Sequence, residues 1–213
     1  MSEGRGGLNR RTILRALERL SEELERRSTR AELFMVGGGA MALAYARRRT
    51  TRDLDAIFVP KAVVYEAARR VAEDLSLPED WLNDAVKSFA PGDDPERKVV
   101  FRTAWLTVSV ASPRYLLAMK LLAARVDQDT DDIVHLYRLC GFTTAGEGMD
   151  LVEAFYPDRR IEPRTQFLLE ELFGASPSPP RNAATLEIGA ATPVASREGG
   201  PPTHREPDER IGS

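Results

Sequence analysis

The chain has little cysteine and no long apolar runs. Cys140 is the single cysteine among 213 residues, so an internal disulfide bond is excluded. No apolar stretch approaches the roughly 20 residues that a helix needs to cross a bilayer. Residues 1–5 also lack the apolar segment of a signal peptide. These absences predict a protein of the reducing cytoplasm that has no membrane partner.

An excess of charge of one sign is also missing. The formal net charge is −3 at pH 7, so no global basic field favours nucleic acid. Lysine is scarce: 30 residues are Lys or Arg, and only Lys61, Lys87, Lys98 and Lys120 are lysine. The hydrophobic fraction of 42% is sufficient for a core, and the charged fraction of 30% suits a globular protein.

Hydrophobic periodicity predicts helices alternating with strands, followed by helices alone. The predicted strands are residues 33–36, 53–59, 99–101 and 105–110, of which the last two form a hairpin. The predicted helices are residues 10–28, 40–47, 63–75, 78–89, 113–125, 129–139, 146–155 and 163–173. The predicted fold class is therefore α+β: a small mixed sheet with flanking helices and a C-terminal helical bundle.

Composition divides the chain into three predicted parts. Residues 8–112 form the α/β core, and residues 113–173 form the helical part. Residues 174–213 contain 7 of the 14 prolines and few large apolar side chains. Such a segment buries too little surface to offset the entropy of ordering it, which predicts a disordered, proline-rich tail.

A glycine turn and an acidic pair stand close together in the sequence. Residues 36–40 (Val-Gly-Gly-Gly-Ala) follow a predicted buried strand, and Asp53-Leu54-Asp55 opens the next strand. The glycines either bring backbone N–H groups near a phosphate or allow positive φ and close packing of strand on helix. Asp53 and Asp55 project from one face of a strand, about 7 Å apart along it. Paired carboxylates of this kind suit a divalent cation held against a triphosphate.

A second charged group lies further along the chain. Lys120 is the only cation in the apolar helical stretch of residues 116–123. Its side chain either snorkels to solvent or meets the triphosphate as a compact positive charge. Asp129, Asp131 and Asp132 open the next predicted helix, where capping and the helix dipole favour acids. Asp129 and Asp132 are one turn apart and are able to face the same way.

Arginines cluster between the glycine turn and the acidic pair, at residues 47–49 and at Arg52. Such a cluster is either a solvated face or a contact to a triphosphate or an RNA backbone. The cluster runs into the pattern Arg49-x-Thr51-x-Asp53-Leu54-Asp55, which makes the combined signal more specific than either aspartate alone.

These stretches resemble the nucleotidyltransferase superfamily related to DNA polymerase beta. More closely, the chain is similar to the AbiEii-type toxins of bacterial toxin–antitoxin and phage-defence pairs and to their mycobacterial MenT relatives. The resemblance spans about residues 8–173 and rests on four stretches. Three of them are the glycine turn with its two aspartates, residues 117–125 with Lys-x-x-Ala and a following arginine, and residues 129–133 with Asp-x-x-Asp. The fourth, residues 81–84 (Trp-Leu-Asn-Asp), resembles related uncharacterised nucleotidyltransferase-like proteins.

The resemblance implies a magnesium-dependent enzyme that transfers a nucleoside monophosphate from a nucleoside triphosphate (NTP) to an acceptor. The implied acceptor is a tRNA 3′ end, and the implied role is that of a toxin beside a cognate antitoxin protein. The implied catalytic residues are Asp53, Asp55, Lys120 and Asp132, the first two as Mg²⁺ ligands. The implied substrate-binding residues are Gly38, Gly39, Arg49, Thr51, Arg125 and Asp129.

Two departures from the family pattern support an alternative function. Many members have Gly-Ser where this chain has Gly38-Gly39, and many related enzymes carry a third carboxylate where residues 106–110 offer only hydroxyls. A third acid assists general-base activation of the acceptor hydroxyl. The alternative is therefore a catalytically inactive protein of the same fold that serves as a binding, antitoxin or regulatory module. Modification of a small molecule is a third option, for which the sequence offers no acidic-pocket signature.

Overall fold

A computed structural model describes residues 7–45, 50–88, 90–123 and 126–174. Within these ranges the strands are β1 (Ala31–Met35), β2 (Leu54–Val59), β3 (Leu82–Asn83), β4 (Lys98–Arg102) and β5 (Leu106–Val110). The α-helices are α1 (Arg10–Arg26), α2 (Gly37–Ala40), α3 (Lys61–Leu75), α4 (Pro113–Ala123), α5 (Val126–Cys140), α6 (Ala145–Phe155) and α7 (Pro163–Phe173). A π-helical segment, Met41–Tyr45, continues α2, and a 3₁₀ helix, Ala85–Ser88, follows β3.

The five strands form one mixed sheet in the order β3-β2-β1-β5-β4. Strand β1 is central, because it pairs antiparallel with β2 on one side and parallel with β5 on the other. Strand β3 adds to the outer edge of β2 in parallel, and β4 pairs antiparallel with β5. The predicted α+β class and the mixed sheet followed by helices are confirmed.

One face of this sheet forms the core. Alternate residues of the three inner strands are buried there, as expected for period-two strands with one face covered. These residues are Ala31, Leu33, Met35, Leu54, Ala56, Phe58, Leu106, Val108 and Val110. Helices α1 and α3 pack against each other, and they contact β5 and β2 respectively. Helix α1 contributes a buried stripe at helical spacing that includes Ile13, Leu17, Leu20 and Leu24.

The C-terminal helices reach the opposite face of the sheet. Phe34 of β1 is half-buried on that face and meets Tyr115 of α4 edge to face, with ring centroids 5.4 Å apart. Tyr115 in turn meets Phe155 of α6 at 5.7 Å. Aromatic pairs prefer this geometry because the positive ring edge faces the negative ring face. The aromatic contacts therefore attach α4 and α6 to the face of the sheet that carries the acidic pair.

Most element predictions are close to the structure, and three are wrong. The hairpin of β4 and β5 and the bounds of α7 are confirmed. The glycines do not precede the second helix but begin it, because α2 starts at Gly37. Helix α5 begins at Val126, so Asp129 lies inside the helix and is not its cap.

The third error is the helix predicted at residues 78–89, where the structure has a short strand and a 3₁₀ helix. The carbonyl of Trp81 accepts a hydrogen bond from Leu54 N (2.7 Å), and its indole Nε1 donates to Ala68 O (2.9 Å). Pairing with β2 and this indole contact outweigh the helical spacing of Trp81, Leu82 and Val86. Phe89 lies outside the described residues.

No helix in the described part of the chain is long and apolar enough to span a membrane. Apart from Gly174, the predicted proline-rich tail lies outside the described residues. The predicted boundary at residue 112 remains a prediction.

Candidate active site

The acidic pair lies at the start of β2. Asp53 immediately precedes the strand and Asp55 is its second residue. Burial alternates along this segment: Leu54 and Ala56 are buried, whereas Asp53, Asp55 and Ile57 are half-buried. Because side chains alternate between the faces of a strand, both aspartates belong to the face opposite the core.

Asn83 of β3 lies next to the acidic pair. In the parallel pairing of β2 with β3, Asn83 stands opposite Asp55. Its Nδ2 donates a hydrogen bond to Oδ2 of Asp53 at 3.3 Å, and its own Oδ1 accepts from Ala85 N at 3.1 Å. Asp53 forms no ion pair with any residue that the structure describes. The neighbour of this carboxylate is therefore a neutral amide.

Gly37 brings the backbone against Asp55. Its φ is +60°, a region that residues with a Cβ rarely occupy. A Cβ at this position would stand 3.1 Å from Oδ2 of Asp55. Val36 N also donates to Asp55 O at 2.9 Å, which extends the pairing of β1 with β2 to this point. The glycine that contacts the acidic pair is thus Gly37, which the sequence analysis did not include among the site residues.

Gly38, Gly39 and Thr51 pack the glycine segment against β2. A Cβ at Gly38 would stand 2.6 Å from Oγ1 of Thr51, and one at Gly39 would stand 2.8 Å from Cδ2 of Leu54. Thr51 Oγ1 donates to Asp53 O at 3.0 Å. These contacts match the structural alternative for the glycines, close packing of strand on helix. A role of these three residues in binding phosphates or substrate remains a prediction.

A cavity of about 460 Å³ opens beside Asp55. Its size is within the range of roughly 300–1,000 Å³ typical of small-molecule sites. It is lined by residues of β2, the 3₁₀ helix, α4 and the turn after α6: Asp55, Ala85, Val86, Met119, Leu122, Ala123, Tyr156 and Arg159. The helical part of the chain therefore forms one wall of the cavity that contains Asp55.

Tyr156 and Arg159 are cavity residues that no pattern in the sequence indicated. Burial raises the pKa of the Tyr156 phenol to about 12, and Arg159 acts in the opposite direction. The two residues lie beyond the motif stretches that carry the family resemblance, in a turn without periodicity. Only the tertiary packing of α6 brings them to Asp55.

Lys120 lies in a buried ion cluster between α4 and α5. Its Nζ is 2.5 Å from Oδ1 of Asp129 and 2.8 Å from Oδ2 of Asp132. The side chains of Lys120, Asp129 and Asp132 are 13%, 14% and 6% exposed, so the lysine does not snorkel to solvent. On the 3.6-residue helical period, Lys120 points about 100° away from the cavity-lining Met119. A role of this cluster in catalysis remains a prediction.

Another acid near Asn83 has its own cation. Lys61 Nζ lies 2.5 Å from Oδ2 of Asp84, and Tyr65 Oη donates to Oδ1 at 2.5 Å. The Lys61 ammonium, and then the Tyr65 hydroxyl, hold the pKa of Asp84 below its ordinary value. Asp84 is therefore engaged on the α3 side, next to the acidic pair.

Arg49 and Arg125, together with Arg47 and Arg48, lie outside the described residues.

The donor chemistry of the acidic pair is compatible with Mg²⁺. Among the described residues, no group of three or more His, Cys, Asp and Glu side chains is arranged to hold a metal ion. Magnesium in nucleotide sites is held by one or two carboxylates and completes its shell with phosphates and waters. Asp53 and Asp55, as two carboxylates on one half-buried face, fit that mode of binding.

The mixed sheet, its glycine segment and the acidic pair on β2 correspond to a nucleotidyltransferase-like domain. The family described as "Nucleotidyltransferase of unknown function (DUF6036)" matches residues 12–140. This match covers more than half of the chain, and the chain belongs to this family. No curated protein and no solved structure matches the chain. The family match supports the nucleotidyltransferase resemblance but not its finer assignment to AbiEii or MenT toxins.

Proposed function

We propose that this protein is a magnesium-dependent nucleotidyltransferase that transfers a nucleoside monophosphate from an NTP to an acceptor hydroxyl and releases pyrophosphate. The observation that carries the proposal is the position of the acidic pair. Asp53 and Asp55 share one half-buried face at the start of β2, and Asp55 lines a cavity of nucleotide-compatible size. Membership of a nucleotidyltransferase family supports the same reaction class.

In this proposal Asp53 and Asp55 hold Mg²⁺, which neutralises charge on the phosphates when it is bound. Asn83 fixes the Asp53 carboxylate by its hydrogen bond, and Gly37 leaves room for that of Asp55. Orientation of this kind holds metal-binding carboxylates in place before the ligand arrives. Gly38, Gly39 and Thr51, beside the same strand, contribute to substrate binding.

Lys120 and Asp132 complete the proposed catalytic set, and Asp129, Arg49 and Arg125 complete the proposed substrate-binding set. Both Asp129 and Asp132 contact the Lys120 ammonium, so the proposed orienting role of an acid is shared between them. An ammonium fixed in this way stabilises charge that develops during transfer only if it approaches the bound nucleotide.

The proposed acceptor is a tRNA 3′ end, and the proposed biological role is that of a toxin neutralised by a cognate antitoxin in the cytoplasm. Support for this part of the proposal comes from the resemblance of residues 117–125 and 129–133 to AbiEii-type and MenT toxins.

Labelled NTPs incubated with the protein, Mg²⁺ and total RNA test the proposal directly. Wild-type protein is expected to label RNA of tRNA size, and Asp53→Ala is expected to abolish the labelling. Asp150→Ala, which removes an exposed acid of α6, is the matched control and is expected to behave as wild type. Labelling of protein in place of RNA would eliminate the tRNA acceptor, and no labelling of either would contradict the enzyme.

A catalytically inactive binding or regulatory protein is the second candidate. Two observations favour it: Lys120 is already paired with two carboxylates, and Ser109, on the strand where related enzymes carry a third acid, donates to Leu33 O at 3.3 Å. Induced expression separates the two candidates. Growth arrest that Asp53→Ala relieves supports the toxin enzyme, whereas harmless expression of both proteins supports the inactive module.

A further inference from the structure

The cavity beside Asp55 is lined in part by a cation from a distant part of the chain, the exposed side chain of Arg159. Arg159 lies in the turn between α6 and α7, more than 100 residues after Asp55, and both residues line the same cavity. Among the described lining residues, Arg159 is the only one with a positive charge. Lys120, the cation suggested by the sequence, is not part of this lining and is engaged by Asp129 and Asp132.

The turn that carries Arg159 is held in place by its backbone and by the end of α6. Tyr156 N donates to Val152 O at 2.8 Å, and Arg159 N donates to Tyr156 O at 2.9 Å. Phe155, the residue before Tyr156, packs edge to face on Tyr115 of α4. The position of Arg159 relative to the cavity therefore follows from packed helices.

The remaining lining is mostly apolar. Met119, Leu122 and Ala123 of α4 fall at helical spacing on one face, and Val86 and Tyr156 contribute further carbon surface. A cavity with charged groups together with an apolar and aromatic wall matches the two halves of a nucleotide. Base–aromatic stacking tolerates any base because every base has a π-face.

We propose that Arg159 binds the triphosphate of the incoming nucleotide and that Tyr156, with the apolar wall of α4, receives its base; this inference rests on the proposed nucleotidyltransferase function. The planar guanidinium of arginine matches phosphate oxygens with two parallel hydrogen bonds. A tyrosine phenol, with an ordinary pKa of about 10, is neutral at pH 7 and adds no negative charge beside Asp55; burial raises the pKa of Tyr156 further, to about 12.

Calorimetric titration of ATP with Mg²⁺ into the full chain tests this assignment. Arg159→Ala is expected to weaken ATP binding by about tenfold or more, because a charged hydrogen-bonding partner is lost. The same variant is expected to leave the weaker binding of adenosine unchanged. Tyr156→Leu is expected to weaken both ligands. The control is Arg160→Ala: both arginines are exposed, and Arg160 does not line the cavity.

The outcomes separate this inference from the proposed function. Equal ATP affinities for Arg159→Ala and Arg160→Ala would overturn the role of Arg159, and the enzyme would stand if Asp55→Asn still abolished transfer. Wild-type protein that binds no NTP would overturn both. Arg159→Lys keeps the charge but loses the planar pair of donors, so its ATP affinity is expected to lie between those of wild type and Arg159→Ala. Far-UV circular dichroism checks that each variant is folded.

Discussion

Two pairs of aspartates in this molecule differ in their surroundings. Asp129 and Asp132 share the ammonium of Lys120 in a nearly buried cluster, so their countercharge comes from within the chain. Asp53 instead accepts a hydrogen bond from the neutral amide of Asn83, and Asp55 lines a cavity. The first arrangement joins two helices, whereas the second stands at a cavity, where the proposed function places the cation.

Removing the ammonium of the buried cluster is expected to have the largest effect. Lys120→Met leaves two carboxylates without their cation, which costs about 3–5 kcal/mol when such a pair is buried. Chemical denaturation measures the loss of unfolding free energy. Lys87→Met, at an exposed lysine, is the control and is expected to change little. A triple variant that also carries Asp129→Asn and Asp132→Asn is expected to regain part of the lost stability. Equal stabilities of the Lys120 and Lys87 variants would contradict the role of Lys120 as the cation of Asp129 and Asp132.

Substitutions in the acidic pair on β2 are expected to lower activity and to leave stability unchanged. Asp53→Asn or Asp55→Asn is expected to reduce transfer by about 100-fold or more, because one charged group that stabilises the transition state is lost. The melting temperature is expected to stay within the range of the Asp150→Asn control, since neither aspartate is fully buried. Loss of folding with retained activity per folded molecule would assign these aspartates to structure.

The contact between Gly37 and Asp55 is testable with a matched glycine. Gly37→Ala and Gly92→Ala both place a Cβ at positive φ, at +60° and +56°, so each is expected to lose about 1–2 kcal/mol of stability. The added Cβ meets Asp55 Oδ2 at 3.1 Å in the first variant and nothing within 4 Å in the second. Only Gly37→Ala is therefore expected to lower transfer activity. Equal activities of the two variants would show that displacing Asp55 has no consequence.

Removing the carboxylate of Asp84 is expected to have the smallest effect, because its cation, Lys61, is exposed. The Lys61 ammonium and the Tyr65 hydroxyl hold its pKa below the ordinary value of about 3.9. A lowered folded-state pKa gives stability that is present above the unfolded-state pKa and is lost as pH falls through the folded-state value. Asp84→Asn is thus expected to be slightly less stable than wild type at pH 6, with the difference shrinking below about pH 4. Urea denaturation at pH 6 and pH 3 measures it, and a constant difference would contradict the ion pair.

Local sequence patterns predicted the sheet and most helices, because the periodicity of a strand or a helix depends on residues that are close together in the sequence. The hairpin of β4 and β5 and the strand of the acidic pair are examples. Strand β3 was missed because a two-residue strand exists only through its pairing with β2. The same limit applies to the cavity: the motif stretches contain Asp55 and Lys120, whereas Tyr156 and Arg159 reach the cavity only through the packing of α6 on α4.

Mn²⁺ binding followed by electron paramagnetic resonance, in the presence of a non-hydrolysable NTP, tests whether the acidic pair of β2 holds the cation. Wild-type protein is predicted to bind Mn²⁺ together with the nucleotide, and the double variant Asp53→Asn, Asp55→Asn is predicted to lose this binding while it remains folded. Unchanged Mn²⁺ binding by the double variant would contradict the assignment of the cation to the acidic pair of β2.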